Sequence, residues 1–190
     1  MKYLTSLFTL SLLIIACKSE PKKSDSKTTK KIESVVNAQK SKTLSINLNP
    51  KSDSNVSGVV LFTETNGMVK MNAKVSGLSD GFHAIHIHQT SDCSSVDGKS
   101  AGGHWNPTNQ PHGKWGVETG YHKGDIGNFM VKNDAETVVE FSTDEWCIGC
   151  GDPAKDILGK GVIIHQGTDD YSSQPSGAAG SRVSCAGIIE

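Results

Sequence analysis

Seven histidines fall into one ordered series along this 190-residue chain: His83, the pair His86-Ile87-His88, then His104, His112 and His122 with Asp125 three residues on, and finally His165. Imidazole nitrogens and carboxylate oxygens bind transition metals. Three imidazoles with a carboxylate suit zinc in a closed tetrahedral set, and a nearly all-imidazole set suits copper. On an extended strand, residues two apart project to one face, so His86 and His88 could share a metal while Ile85 and Ile87 fill a core behind them. An H-x-H pair alone is weak grounds for a metal. The remaining imidazoles, strung along a Gly/Pro/Asn-rich stretch and at the end of an apolar run, turn it into a two-metal pattern.

Such a set must be held by elements that the loops cannot supply themselves. Apolar residues alternate with polar ones at Leu44, Ile46 and Leu48 and again at Val69, Met71, Ala73 and Val75, the second run following an Asn66-Gly67 pair of the kind that closes two-residue hairpins. Val59 to Phe62, Val138-Val139, Val162 to Ile164 and Val183 to Ile189 read as further short strands. No stretch carries a helical stripe, and no internal repeat or second domain is visible. An all-β sandwich or flattened barrel is expected, interrupted by two long Gly-rich loops at about 90–125 and 166–182 that are bracketed by histidines.

The start of the chain has another character. Met1-Lys2, the apolar run Leu4 to Ile15 and Ala16-Cys17 read as a signal peptide over residues 1–16, because a run this short falls below the roughly 20 residues that span a bilayer. Leu13 to Cys17 resembles a bacterial lipobox, in which the cysteine is lipidated and becomes the mature N-terminus; an ordinary signal peptide with an incidental cysteine is the alternative. Residues 17–42 read as the lipidated Cys17 and a disordered tether of Lys, Ser, Thr and Glu. Residues 1–42 hold nine Lys against three acidic residues, and 43–190 hold nine Lys and one Arg against seventeen, so a tether of +6 leads into a domain of −7. The tether could rest on anionic headgroups or serve as a solvated spacer. No nucleic-acid partner is expected.

Four segments then resemble the copper/zinc superoxide dismutases: Gly81 to His88, Ala101 to Pro107, His122 to Asn128, and Gly177 through Ser181-Arg182 to Cys185. They occur in the family's order and cover nearly all of 43–190. The resemblance implies a Greek-key β-sandwich or flattened barrel whose two long loops form the metal site. It implies copper on His86, His88, His104 and His165, and zinc on His104, His112, His122 and Asp125, with His104 as the bridging imidazolate. Asp169 would link His86 to His112 from behind, and His83 would brace the site through backbone contacts without touching metal. The implied reaction is dismutation of superoxide to O2 and hydrogen peroxide by a redox-cycling copper bridged through a histidine to a structural zinc, with His104 also carrying a proton toward the peroxide.

Arg182 is the sole arginine beside eighteen lysines. A permanently charged guanidinium suits a small anion, and the family gives the matching arginine that catalytic role. Lys99, Lys114 and Lys123 are candidates to help steer superoxide against the −7 domain. The resemblance pairs Cys93 with Cys185; a bridge of that span contributes about 4–5 kcal/mol in the chain-entropy model and requires an oxidising compartment. Cys147-Ile148-Gly149-Cys150 has no family counterpart. A lone CxxC lacks the four ligands of a structural zinc site, and a second disulfide outside the metal chemistry is expected.

The chain departs from the family at Gln89-Thr90-Ser91 and at Ala178 and Ala186, which touch loop shape rather than ligands. It also lacks the acidic-plus-lysine steering group of eukaryotic members in 166–182. The rival reading is a non-catalytic copper/zinc-binding surface lipoprotein. Together these features describe an exported, membrane-anchored lipoprotein of the cell envelope, in periplasm or at the cell surface; a homodimer is possible, though no motif marks its surface. Cys17→Ser should move the protein from the membrane fraction to the soluble one with specific activity retained, and a soluble unmutated protein would exclude the anchor.

Overall fold

The computed structural model describes residues 41–133 and 135–190. The expected signal segment 1–16, Cys17 and the tether as far as residue 40 lie outside the described residues. Eight strands follow in chain order: β1 (Ser41–Pro50), β2 (Ser57–Thr65), β3 (Met68–Ser76), β4 (Gly81–His88), β5 (Gly127–Val131), β6 (Thr137–Thr143), β7 (Gly161–His165) and β8 (Arg182–Gly187). The first strand starts at Ser41, two residues before the boundary read from sequence, because Lys42 pairs in register with Glu64 and its ammonium reaches the Ile148 carbonyl. One 3-10 turn, Lys99–Ala101, is the sole helical element among the described residues. None there is long and apolar enough to cross a membrane.

The strand order is β5-β4-β7-β8-β1-β2-β3-β6, antiparallel throughout. Two four-stranded layers meet at β1 and β8, where only Asn49↔Cys185 and Pro50↔Ser184 are paired. The outer strands β5 and β6 approach each other, so the sheet nearly closes into a barrel. The connections β3 to β4 and β6 to β7 cross between layers, as Greek-key topology requires. The β2–β3 turn is the expected Asn-Gly pair, with φ of 53° at Asn66 and 77° at Gly67 as a type I′ hairpin demands.

The two layers bury their residues differently. Along β3, Val69, Met71, Ala73 and Val75 are buried and their neighbours are not. Along β4 and β7 nearly every residue is buried, because one face packs on the core and the other lies under the long loops. Ile85, Ile87, Val162 and Ile164 join Phe62, Met71 and Trp146 in the central core, while His86, His88 and His165 occupy the opposite face. Ile163 lies on that loop side too and packs with Ala101, Cys93 and Cys185 in a smaller cluster, where the Cys93–Cys185 disulfide (Cα–Cα 5.8 Å) ties the first long loop to β8.

Sequence periodicity missed β5, five residues beginning directly after the Asp125 segment, and a third long connection between β6 and β7. That connection carries the second disulfide, Cys147–Cys150. The same contrast of faces sets energetic expectations. Ile85→Ala, fully buried behind the histidines, should cost about 2–5 kcal/mol, whereas Val59→Ala on the outer face of β2 should cost within about 0.5 kcal/mol; urea unfolding of the two variants compares them.

Candidate metal centre

β4 supplies His86 and His88 on one face, and β7 ends on His165 beside them. His104 comes from the first long loop, yet it is not placed by loop conformation. Residues 103–105 are laid against the end of β4: Gln89 N–H donates to Gly103 O at 3.0 Å, Trp105 N–H to Ile87 O at 2.8 Å, and His88 and His104 form an isolated antiparallel bridge. Gly124 then threads between them, accepting from Ile87 N–H and donating to Trp105 O; a Cβ there would lie 2.1 Å from Ile87 O. Only glycine fits this approach, which brings Asp125 and His122 under His104.

Two clusters result. His86, His88, His104 and His165 each offer a ring nitrogen, and these atoms lie within 4.8 Å of one another; His104, His112, His122 and Asp125 form a second group by the same measure. All seven residues are buried. His104 belongs to both, with its ring centroid 4.0 Å from that of His86 and 5.7 Å from that of His122.

The far sides of four rings, His86, His88, His112 and His165, are held by the protein. In the first cluster, His86 Nε2–H donates to Asp169 at 2.8 Å, His88 Nδ1–H to Gly102 O at 2.9 Å and His165 Nδ1–H to Gly180 O at 3.4 Å. The inward nitrogens must then carry lone pairs, and His88 Nε2 and His165 Nε2 stand 3.4 Å apart. In the second cluster, His104 Nδ1 is 2.8 Å from Asp125, while His112 Nδ1 and His122 Nδ1 approach the same carboxylate at 3.0 and 3.2 Å without being aligned to donate to it. His86 Nδ1, His104 Nε2, His112 Nδ1 and His122 Nδ1 are buried with no hydrogen-bond partner. Orphaned, converging nitrogen lone pairs with one carboxylate are what bound cations satisfy, so this donor set fits copper in the first cluster and zinc in the second.

Asp169 joins the two sets from behind, accepting from His86 Nε2 and, at 2.9 Å, from His112 Nε2. It is fixed by Asn128, whose amide donates to Asp169 O and accepts from Asp169 N–H, both at 2.8 Å. Gly177, at φ +65°, passes so close that a Cβ would meet Asp169 Oδ1 at 1.8 Å. His83 lies between the Ser79 and His165 carbonyls, 2.9 and 3.3 Å away.

Burial first, and then the positive neighbours His104 and His86 respectively, hold His88 and His165 well below the usual imidazole range. Burial lowers His104 to about 4 against the opposing pull of Asp125. For His112 burial acts the same way, but the Asp125 and Asp169 carboxylates outweigh it and raise the group to about 9. Burial opposes ionisation of Asp125 and Asp169 too, and the surrounding histidines overcome it, holding both carboxyls well below their usual range.

The first cluster opens on a cavity of about 400 Å3, lined by His88, Gln89, His104, Asn106, His165 and Arg182 among others. Arg182 Nη1 donates to Gly98 O at 2.8 Å. Burial lowers its basicity and Asp97 offsets this in part. It is the sole Lys or Arg lining the cavity. Of the lysines expected to help steer, Lys123 is committed to Glu145 and Lys99 to Asp97 (2.9 Å), and neither they nor Lys114 lines the cavity. Gly124, Asn128 and Gly177 lie within the segments that carry the resemblance, but their roles, two close approaches and a backbone contact to Asp169, are not marked by any residue type.

Residues 56–188 match the family model described as copper/zinc superoxide dismutase. The chain is 35% identical over 137 residues to the extracellular Cu-Zn superoxide dismutase of Caenorhabditis elegans, a match covering 69% of this chain and 60% of that protein. It is 37% identical over 145 residues to Cu-Zn superoxide dismutase 3 of Arabidopsis thaliana, covering 72% and 84%. The crystal structure of a double mutant of a SOD-like protein from Bacillus subtilis superposes with a TM-score of 0.68 at 30% identity, over 77% of this chain and 97% of that one.

The Asp169–His112 contact sets a pH window in the metal-free protein. A lowered carboxyl contributes stability above about 3.9 that is lost as pH falls through its folded value, and a raised imidazole contributes below about 6.5 and loses it as pH rises through about 9. The difference in thermal midpoint between the metal-free protein and its Asp169→Asn variant should therefore be largest between about pH 4 and 6.5 and shrink on both sides; a difference that grows toward pH 10 would contradict this.

Proposed function

Because the chain belongs to the copper/zinc superoxide dismutase family, we propose that it converts two superoxide ions and two protons into O2 and hydrogen peroxide, with copper held by His86, His88, His104 and His165 and zinc by His104, His112, His122 and Asp125. The observation that carries this reading is His104: its Nε2 is an orphaned buried nitrogen facing the first cluster, and its Nδ1 faces Asp125 in the second. Copper, when bound, supplies the one-electron redox chemistry, while zinc supplies none.

The chain's own residues do the rest. Arg182, which lines the cavity, binds and orients the anion; one guanidinium N–H is used by Gly98 O, and the planar fork has further donors for a diatomic anion. His104 Nε2, a buried nitrogen with no hydrogen-bond partner in the protein, is the atom that holds a proton and passes it to the product. Asp125 keeps the ring oriented through Nδ1. Asp169 fixes His86 and His112 relative to each other, so the two clusters cannot drift apart.

A cavity lined by both an arginine and histidines of the first cluster favours catalysis over a closed storage site. Two disulfides and the extracellular relatives support an exported protein, and we assign Cys17 as its lipid anchor in the cell envelope. Arg182→Ala should keep both metals yet lose turnover about 10- to 100-fold, the factor of one charge-assisted hydrogen bond. Arg182→Lys should lose less, since charge survives without the fork. Rising ionic strength should slow the unmutated enzyme more than the Ala variant, as screening shortens to about 8–10 Å. An Ala variant with full copper and unchanged superoxide turnover would remove Arg182 from the reaction.

A further inference from the structure

Cys147 and Cys150 are remote from every metal ligand in sequence, yet the segment they close is joined to the second cluster by the two residues before it. Trp146 is 1% exposed, and its Nε1–H donates at 2.8 Å to the carbonyl of Lys123, the residue that follows ligand His122. Glu145 accepts from the Tyr121 hydroxyl at 2.7 Å and pairs with the Lys123 ammonium. The segment Tyr121–Lys123, which carries His122, is thus gripped from one side by residues 145 and 146. From the other side Gly124 is held by β4 and Trp105.

Trp146 is itself locked in place. Its ring packs against Phe141, Trp115 and Phe62 at centroid distances of 5.0, 5.9 and 6.5 Å. Directly after it, Cys147 N–H donates to Lys155 O at 2.9 Å and Ile157 N–H to Cys147 O at 3.1 Å. Asp156 accepts from the N–H groups of Gly149, Gly151 and Leu158, and Glu64 from that of Ile148. The disulfide closes this knot across a Cα–Cα distance of 6.0 Å. Opening it leaves residues 147–151 to those hydrogen bonds, the Lys42 contact and the buried Ile148 side chain, with the freed segment starting one residue from the indole that grips Lys123.

We infer that Trp146 and Glu145 are positioning residues for the second metal, and that the Cys147–Cys150 bridge slows zinc loss by holding them in place without contributing a ligand. This rests on the assignment of zinc to His104, His112, His122 and Asp125. The test uses the full chain loaded with copper and zinc and follows the release of each metal into excess chromogenic chelator. Trp146→Phe, which keeps the ring but not the donor, should release zinc about five-fold faster, the factor of one net hydrogen bond, with copper release unchanged. Glu145→Gln should accelerate zinc less. Cys147→Ser with Cys150→Ser should accelerate zinc by a similar factor and add nothing in the Trp146→Phe background, as two changes on one route do.

Equal zinc release from all variants and the unmutated protein, or equal acceleration of copper and zinc, overturns the clamp; the second result would mean general loosening. Additive effects of Trp146→Phe and the paired Ser changes overturn the claim that the bridge acts through Trp146. If the paired Ser chain does not fold by circular dichroism, Trp146→Phe and Glu145→Gln decide the clamp alone. Failure of the unmutated chain to take up a second metal overturns the zinc assignment instead, which keeps the two failures distinct.

Discussion

Lone pairs of buried imidazoles repel one another unless a cation lies between them, and the architecture around β4 exists to hold them there. His88 Nε2 and His165 Nε2 face each other at 3.4 Å because the far side of each ring is pinned to a backbone carbonyl. Release those carbonyls and the rings could turn away. The donors that point inward are therefore set by acceptors that point outward, through hydrogen bonds to the far side of each ring.

The second constraint is room. Three strand-like segments converge at Ile87: β4 itself, the stretch 103–105 and Gly124. A side chain at 124 would collide with the Ile87 carbonyl. At the opposite end, Gly177 clears the space in which Asp169 reaches both His86 and His112. A rigid two-cluster site thus depends on two positions with no side chain at all, while the polar chemistry is distributed over buried residues that water cannot screen.

The histidines of both clusters were legible in the sequence because imidazole is chemically distinctive and because an alternation of His with Ile on a strand separates the cluster side from the core side. The hairpin at Asn66-Gly67 and the strands of the first layer were legible for similar local reasons. β5 was obscured by its shortness and by the glycine that opens it. Asp169 carried no local signal and came through resemblance to a family. Glu145 and Trp146 were illegible in principle: one acts on a hydroxyl and an ammonium distant in sequence, the other on a backbone carbonyl, and neither bond leaves a spacing to read. The pairing of Lys99 with Asp97 and of Lys123 with Glu145 was unreadable for a related reason, since a formal charge in the sequence says nothing of the acid beside it.

The two layers of the barrel share only two residue pairs at the β1–β8 seam, and every residue of the two clusters sits on the layer of β4, β5, β7 and β8 or on its loops. The other layer, β1, β2, β3 and β6, carries none of these residues; its inward Phe62 and Phe141 pack against Trp146. Its outward residues, among them Leu61, Asn72 and Glu140 in register across three strands, form a chemically silent panel. That panel is a natural place to graft an epitope, a surface tag or a crystal contact, because recoding it alters the protein's handling and leaves the metal-bearing half untouched.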